Sequence, residues 1–405
     1  MSPNCLQKTM SDMASQHTSH IVIIGGGIVG SALAYFLSTS EDGKKVTAID
    51  RSFSRLNGST GYAPGFVGQF NESEVLTRLA IDSVEEYSKV PEGFDHVGGL
   101  EIATSNAGVE NLKMRLASAK ERGLEAEMIS SQQAMQMAPD LVKDDNILAL
   151  HFPGDGTANP STITAFFQSE ARARGVHFLE GDVTGIRRVD DRVNGVMTSA
   201  GFVQAETVVL ATGIWAKNLC DFDLPVPVIP VAHPYMYGEH HKPKTYKSPF
   251  VRFPEHHVYA RDHGQFFGLG SYDHKPLAEN PEDTALGNWK EDFDATLDRA
   301  LQLIPANTNL VPREKFNGIF SVTPDNMPLV GEIPNVKGLY MAAAVWVTHA
   351  AGCAKFLTRM LKGERVDVTM QKALDPTRFQ GRDMKSLERV SLHCYNSIYS
   401  THERS

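Results

Sequence analysis

A strand-turn-helix-strand unit near the N-terminus constrains the fold more than any other stretch of the chain. Residues 21–30 read IVIIGGGIVG, with Gly25, Gly27 and Gly30 spaced G-x-G-x-x-G. An apolar strand runs into the glycines and a helix-like segment, SALAYFLST, leaves them. A second apolar strand, KVTAID, then ends on Asp50, twenty residues after Gly30. Each part has a physical task in holding a dinucleotide. Gly25 permits the tight turn, Gly27 lets backbone approach a pyrophosphate, and Gly30 lets the helix pack on the strand. The helix N-terminus presents unpaired N–H groups and the positive end of its dipole to the phosphates. Asp50 can accept hydrogen bonds from an adenosine ribose. A glycine-rich turn in an unrelated α/β protein is the competing explanation, and it leaves the second strand and its terminal acid unaccounted for.

At 405 residues the chain is too long for one ordinary core and suits two domains. Hydrophobic residues make up 41% and charged residues 21%, the balance of a soluble globular protein. A net charge of -9 argues against a nucleic-acid surface. Cys5, Cys220, Cys353 and Cys394 form no CxxC pair, so neither a disulfide framework nor a zinc site is expected, and a reducing, cytoplasmic setting follows. No apolar run is long enough to span a membrane. Residues 1–19 are polar, without an apolar h-region or an arginine, and predict an unstructured leader rather than a targeting signal. Residues 381–405 are likewise expected to form a tail without fixed structure.

Further along, NGSTGYAPGFVGQ (residues 57–69) has the glycine content of a loop lying close to something bound. A strand is predicted around residues 96–105, and helices over 109–122, 131–137 and 162–175, the last closed by Gly175. Residues 176–213 read as short alternating strands, with turns at 191–194 and 200–201 and a final apolar strand. From residue 225 the pattern turns to antiparallel strands rich in aromatics and histidines. A helix is expected over 285–303, a buried strand over 338–347 and a helix over 350–363.

Two motifs separate a flavin protein from a nicotinamide one. TVVLATGIW (residues 207–215) is a buried strand ending at Gly213, a signature that in flavoproteins closes against the cofactor phosphates. TPDNMPLVGE (residues 323–332) precedes a strand and then a helix beginning near Thr348. That helix N-terminus is suited to stabilise negative charge on a flavin. The fold expected is α/β, with a discontinuous Rossmann-like FAD-binding domain of the glutathione-reductase type and an α+β antiparallel-sheet substrate domain. Residues 20–90, 150–222 and 316–380 are assigned to the first, and 91–149 and 223–315 to the second.

The motifs GSTGYAPG, VGGLEIAT, PVAHPY, VYARDHG, GLGSYDHKP, FNGIFSVTPD and AVWVTHAAG occur in that order between residues 58 and 352. They resemble the amine-oxidising flavoproteins of the D-amino-acid oxidase superfamily, and most of all the flavin half of dimethylglycine oxidase and of sarcosine and dimethylglycine dehydrogenases. The resemblance implies bound FAD and oxidation of a secondary or tertiary amine, such as an N-methyl amino acid. Hydride transfer to flavin would leave an imine or iminium. It implies that Ile28 and Val29 sit on the pyrophosphate turn, that Asp50 and Arg51 flank the adenosine, and that Val183 meets the adenine through its backbone. Ser59, Thr60, Tyr62 and Phe66 would line the flavin loop, and Val345, Trp346, Val347 and Thr348 would approach the isoalloxazine. His233 and Tyr259 match the residues that face the substrate amine.

Two departures accompany the resemblance. Tyr62 stands where relatives with covalent flavin have a histidine, and Gly318 where sarcosine oxidases have a cysteine, so FAD is expected to be non-covalent. The dimethylglycine enzymes continue into a folate-binding domain, and the end of this chain carries no sign of one.

The expected chemistry requires an uncharged amine, because a protonated nitrogen has no lone pair to assist. A histidine, which titrates near neutrality, and a hydrogen-bonding tyrosine suit that task; a core histidine beside an ordinary strand aromatic is the plainer account of the same pair. Arg261 lies next but one to Tyr259 on the same predicted strand and is a candidate for a substrate carboxylate, as is Arg252. His349 falls at the helix start expected to face the flavin. The remaining histidines match no metal motif, and no metal is expected. The expected partners are a small-molecule amine and oxygen or another electron acceptor, with no nucleic acid and no membrane. Oxidative tailoring or cyclisation of a larger amine, and flavin binding without turnover, stay open.

Overall fold

A computed structural model describes residues 18–39, 45–217, 219, 225–282, 286–308 and 310–398. The strand Thr18–Ile24 lies at the centre of the first sheet, parallel to Val46–Asp50 on one side and Gly201–Leu210 on the other. His177–Glu180 extends the sheet beyond Val46–Asp50, and Leu339–Ala343 pairs in parallel with the far end of Gly201–Leu210. Val22 and Ile23 have no exposed surface, as expected of a strand covered on both faces. On one face the helix Ile28–Leu37 packs between the helices Pro160–Ala173 and Ala350–Leu361. A Cβ at Gly352 would come within 2.3 Å of the Leu79 carbonyl oxygen, so glycine there permits the close approach of Ala350–Leu361 to the helix Glu74–Tyr87.

The second sheet has the strand order Pro312–Val322, Ile229–His240, Phe266–Ser271, Val258–Asp262, Phe250–Phe253, Gly99–Ala103, Leu148–Phe152 and Glu127–Ser130. Register places Gly318 opposite His233, Gly270 opposite Tyr259, and Arg252 opposite Tyr259 on the other side. Pro312–Val322 runs from this sheet toward the first, and its end reaches the cavity described below.

Four expectations need correction. Residues 57–69 are not all loop: Ser59–Tyr62 forms a short helix and Phe66–Val67 a short strand. The turn expected at 191–194 falls at Asp190 and Asp191, with Asp190 in the left-handed region (φ 55). The helix expected over 285–303 is confined to Asp294–Leu301, preceded by a single 3-10 turn. The C-terminal tail is the largest correction. Met384–Tyr395 is a helix capped by the Asp383 carboxylate, which accepts from the Ser386 amide at 2.8 Å. Its buried face is Leu387, Ser391, Cys394 and Tyr395, at helical spacing. So few apolar residues carry that face that composition hides it. The expected leader lies outside the described residues as far as residue 17, while Thr18 and Ser19 belong to the first strand. No helix among the described residues is long and apolar enough to cross a membrane.

Candidate functional site

The first sheet ends in a cavity of about 360 Å³ at the carboxyl edge of its central strands. Gly25, Gly27, Ile28, Val29, Asp50, Arg51, Ser59, Thr60, Val183, Gly213 and Val345 line it. Gly30 lies behind the turn, where a Cβ would fall 1.9 Å from the Gly25 carbonyl oxygen. Gly25 has φ 117, a conformation open to glycine. The Asp50 carboxylate accepts from the amides of Gly26 at 2.6 Å and Ser52 at 2.9 Å, so it fixes the glycine turn as well as facing the cavity. The Ile28 amide donates to Thr60 Oγ1 at 3.2 Å, which ties the short helix at 59–62 to the start of the long one.

Among the lining residues that sequence reasoning missed, two carry unpaired polar atoms. Thr212 and Trp215 fall in the strand motif before and after Gly213, yet only their burial singles them out. Thr212 Oγ1 and Trp215 Nε1 are buried and have no hydrogen-bond partner among the described residues. Unpaired polar atoms in a cavity wall are what a polar ligand would satisfy. The Arg51 guanidinium lies 4.8 Å from the Trp215 ring centre at the mouth. A glycine cradle, a helix N-terminus whose cap residue, Gly27, has no side chain, and these orphaned donors fit FAD.

At the inner end, Ser321, Ala342, Ala344 and Val345 form the wall. Ala344 is held at φ 54, uncommon for alanine and consistent with a functional bend. Trp346, Val347 and Thr348 do not line the cavity; they brace its wall. Trp346 Nε1 donates to the Ser321 carbonyl at 3.0 Å, the Val347 carbonyl accepts from Tyr87 at 2.6 Å, and Thr348 Oγ1 donates to the Phe66 carbonyl at 3.1 Å. His349 is buried behind Trp346, and burial pulls its imidazole down to about 3. It is not among the residues that line the cavity.

Beyond that wall lies an aromatic box. The Phe320 ring touches both Trp346 at 5.8 Å and His233 at 4.6 Å. His233 is 2% and Tyr259 4% exposed, and the two share a short hydrogen bond between Nε2 and the phenol oxygen. Phe66, Tyr235 and Tyr272 pack around Tyr259. Burial, and secondarily the nearby His274, hold His233 well below the usual imidazole range, so it is neutral. Tyr62 stands at the edge, its ring 5.8 Å from Phe316 and its hydroxyl donating to the Leu286 carbonyl at 3.2 Å. A Cβ at Gly318 would sit 3.8 Å from the Tyr62 Cβ, so the two positions singled out as flavin anchors in relatives are neighbours in space.

Arg261 lies beside the box, next but one to Tyr259 on the strand Val258–Asp262. Its Nη1 donates to the carbonyls of Pro64 at 2.7 Å and Ala158 at 3.2 Å, which pins the loop after Tyr62. Its Nη2 makes no hydrogen bond among the described residues. Arg252 is different: it is buried against Glu101, which in turn binds Arg115 through both oxygens at 2.6 and 2.8 Å. That makes Arg252 part of a buried charge network rather than a freely offered cation.

A family model described as FAD dependent oxidoreductase matches residues 20–360. The chain is 28% identical to human dimethylglycine dehydrogenase over 384 residues, 88% of this chain and 44% of the relative. It is 28% identical to mouse sarcosine dehydrogenase over 376 residues, 87% of this chain and 40% of the relative. It thus spans less than half the length of these relatives. Among solved structures, L-proline dehydrogenase from P. horikoshii superposes with a TM-score of 0.81 at 24% identity, covering 90% of this chain and 98% of that one. At that identity the likeness concerns the fold.

Proposed function

The chain belongs to the FAD dependent oxidoreductase family, and from that premise we propose that it oxidises a secondary or tertiary amine, with an N-methyl amino acid as the substrate class. The observation that carries this is the buried, hydrogen-bonded His233–Tyr259 pair set in an aromatic box one ring beyond the inner wall of the cavity. Bound FAD would accept a hydride equivalent from the carbon beside the amine nitrogen. The glycine turn, Thr60 and the helix Ile28–Leu37 would hold its phosphates, with Asp50 and Arg51 on the adenosine side.

The chain's own residues then have three tasks. Tyr259 and neutral His233 take up the proton of an arriving ammonium, so that the nitrogen lone pair is available. The aromatic walls exclude water and favour a methylated nitrogen. Arg261 Nη2 is the group we assign to the substrate carboxylate, on the same strand face as Tyr259. Tyr62, committed to the Leu286 carbonyl, and Gly318, which has no side chain, favour non-covalent FAD. Oxygen or another acceptor would complete the cycle. The FAD-loaded protein should lose its yellow colour anaerobically with sarcosine, N,N-dimethylglycine or L-proline. A flavin that binds yet stays oxidised with all three would contradict the proposal.

A further inference from the structure

The C-terminal helix lies beyond the stretch matched by the family model, yet it reaches the box. Tyr395 is fully buried, and its hydroxyl contacts His233 Nδ1 at 2.6 Å and His274 Nε2 at 2.9 Å. His274 Nδ1 lies 2.9 Å from the Lys275 carbonyl oxygen. Asn396, next on the same chain end, donates to the carbonyls of Tyr272 and His274 and clamps the segment after the strand Phe266–Ser271 to the helix. Four polar side chains thus form one line: Tyr259, His233, Tyr395, His274.

The carbonyl at the end fixes the direction of every bond. A carbonyl only accepts, so His274 Nδ1 carries a proton. In neutral His274 the other nitrogen then accepts from the Tyr395 hydroxyl. The Tyr395 oxygen in turn accepts from His233 Nδ1–H, which leaves His233 Nε2 to accept from the Tyr259 hydroxyl. The Tyr259 oxygen is left as an acceptor. We propose that Tyr395 and His274 form a proton relay that carries the proton of the substrate ammonium from Tyr259 to the half-buried His274.

The proposal rests on the reading of His233 and Tyr259 given above. The proton balance is closed. The ammonium proton passes to the Tyr259 oxygen, the Tyr259 proton to His233 Nε2, the His233 Nδ1 proton to Tyr395, and the Tyr395 proton to His274 Nε2. His274 ends as an imidazolium and every bond in the line is reversed. Burial holds the His274 imidazole below its ordinary value, while the Lys275 carbonyl and the nearby Asp273 favour its charge. Other charged or titratable groups near this end are Arg299, paired with Asp273 at 2.8 Å, and His257, itself close to Asp273. Lys275 beside His274 in the same irregular segment, Glu291 and Asp292 on the turn carrying Phe293, and His393 on the C-terminal helix are exposed.

Two readouts test the relay on FAD-loaded protein. Nitrogen-15 histidine spectra should find His233 and His274 neutral and protonated at Nδ1, with His233 losing that preference in Tyr395→Phe. A wild-type His233 protonated at Nε2 would overturn the proposal without any substrate. Stopped-flow reduction by sarcosine is the second. Tyr395→Phe and His274→Ala should be slowed on the order of 10-fold or more near neutral pH. Both should approach wild type as pH rises and the amine arrives already neutral. A loss of equal size at every pH, or no loss in either variant, would overturn the relay. Wild-type rates in His233→Ala and Tyr259→Phe would instead sink the reading on which it rests.

Discussion

The cofactor cavity and the aromatic box meet at Ser321, Val345 and Trp346, yet they are built in opposite ways. The cavity is made of backbone from short, nearly contiguous segments: residues 24–29, 49–52 and 55–60 supply much of its wall. The box is made of side chains from strands and a helix far apart in sequence. His233 meets Tyr259 26 residues away and Tyr395 162 residues away. A site built from backbone fails when a glycine acquires a side chain. A site built from side chains keeps its shape but loses chemistry when one polar atom is removed.

The largest effect should follow from breaking the backbone cradle. Gly27→Val introduces bulk where a Cβ already meets Thr60 Oγ1 at 3.0 Å and the remainder would project toward the phosphates. The expected product is folded protein without FAD, read by visible absorbance and circular dichroism together. FAD at normal occupancy would show that the cradle does not hold phosphate. Next in size is the side-chain box. His233→Ala and Tyr259→Phe should keep FAD and slow its reduction by about 10²–10⁴-fold, the usual contribution of a positioned acid–base group.

The two regions also differ in acid. His349, in the wall between them, is pulled down to about 3 by burial, and burial likewise lowers His233 and His263. Below the ordinary histidine value the unfolded chain takes up protons that the native chain refuses. Stability from these groups is therefore complete above about 6.5 and is lost as pH falls toward 3. His349→Gln should flatten that loss by a few kcal/mol at most, measured as urea midpoints between pH 4 and 7. An unchanged pH slope would mean that His349 is protonated in the native state. The smallest effect should come from the cavity mouth. Arg51 is half exposed and its ion pairs to Asp182 and Glu282 are 3.7 Å long. Arg51→Ala should weaken FAD by only a few-fold, in keeping with about 1 kcal/mol or less for exposed charge contacts.

The same contrast explains what was legible in the sequence. Gly25, Gly27, Gly30 and Asp50 announce their roles by spacing alone, because a tight turn and a close phosphate approach leave few choices of residue. Thr212 and Trp215 are adjacent to that signal, but their unpaired polar atoms become visible only once burial is known. In the box, His233 and Tyr259 were found through likeness to a family, since no local pattern joins two strands. Tyr395 had no signal of either kind: its helix buries a narrow stripe in a polar segment, and its partners are set by tertiary packing. For His349 the position of a helix start was legible, while the burial of its side chain was not.

The central claim is that the box prepares a neutral amine for oxidation at the cavity's inner wall. The most direct measurement is anaerobic stopped-flow reduction of the FAD-loaded protein by sarcosine across pH, in wild type and in Tyr259→Phe. Wild type is predicted to reduce rapidly through neutral pH. Tyr259→Phe should bind FAD equally well and lag most where the amine is protonated. Reduction of both at the same rate and with the same pH profile would contradict the account.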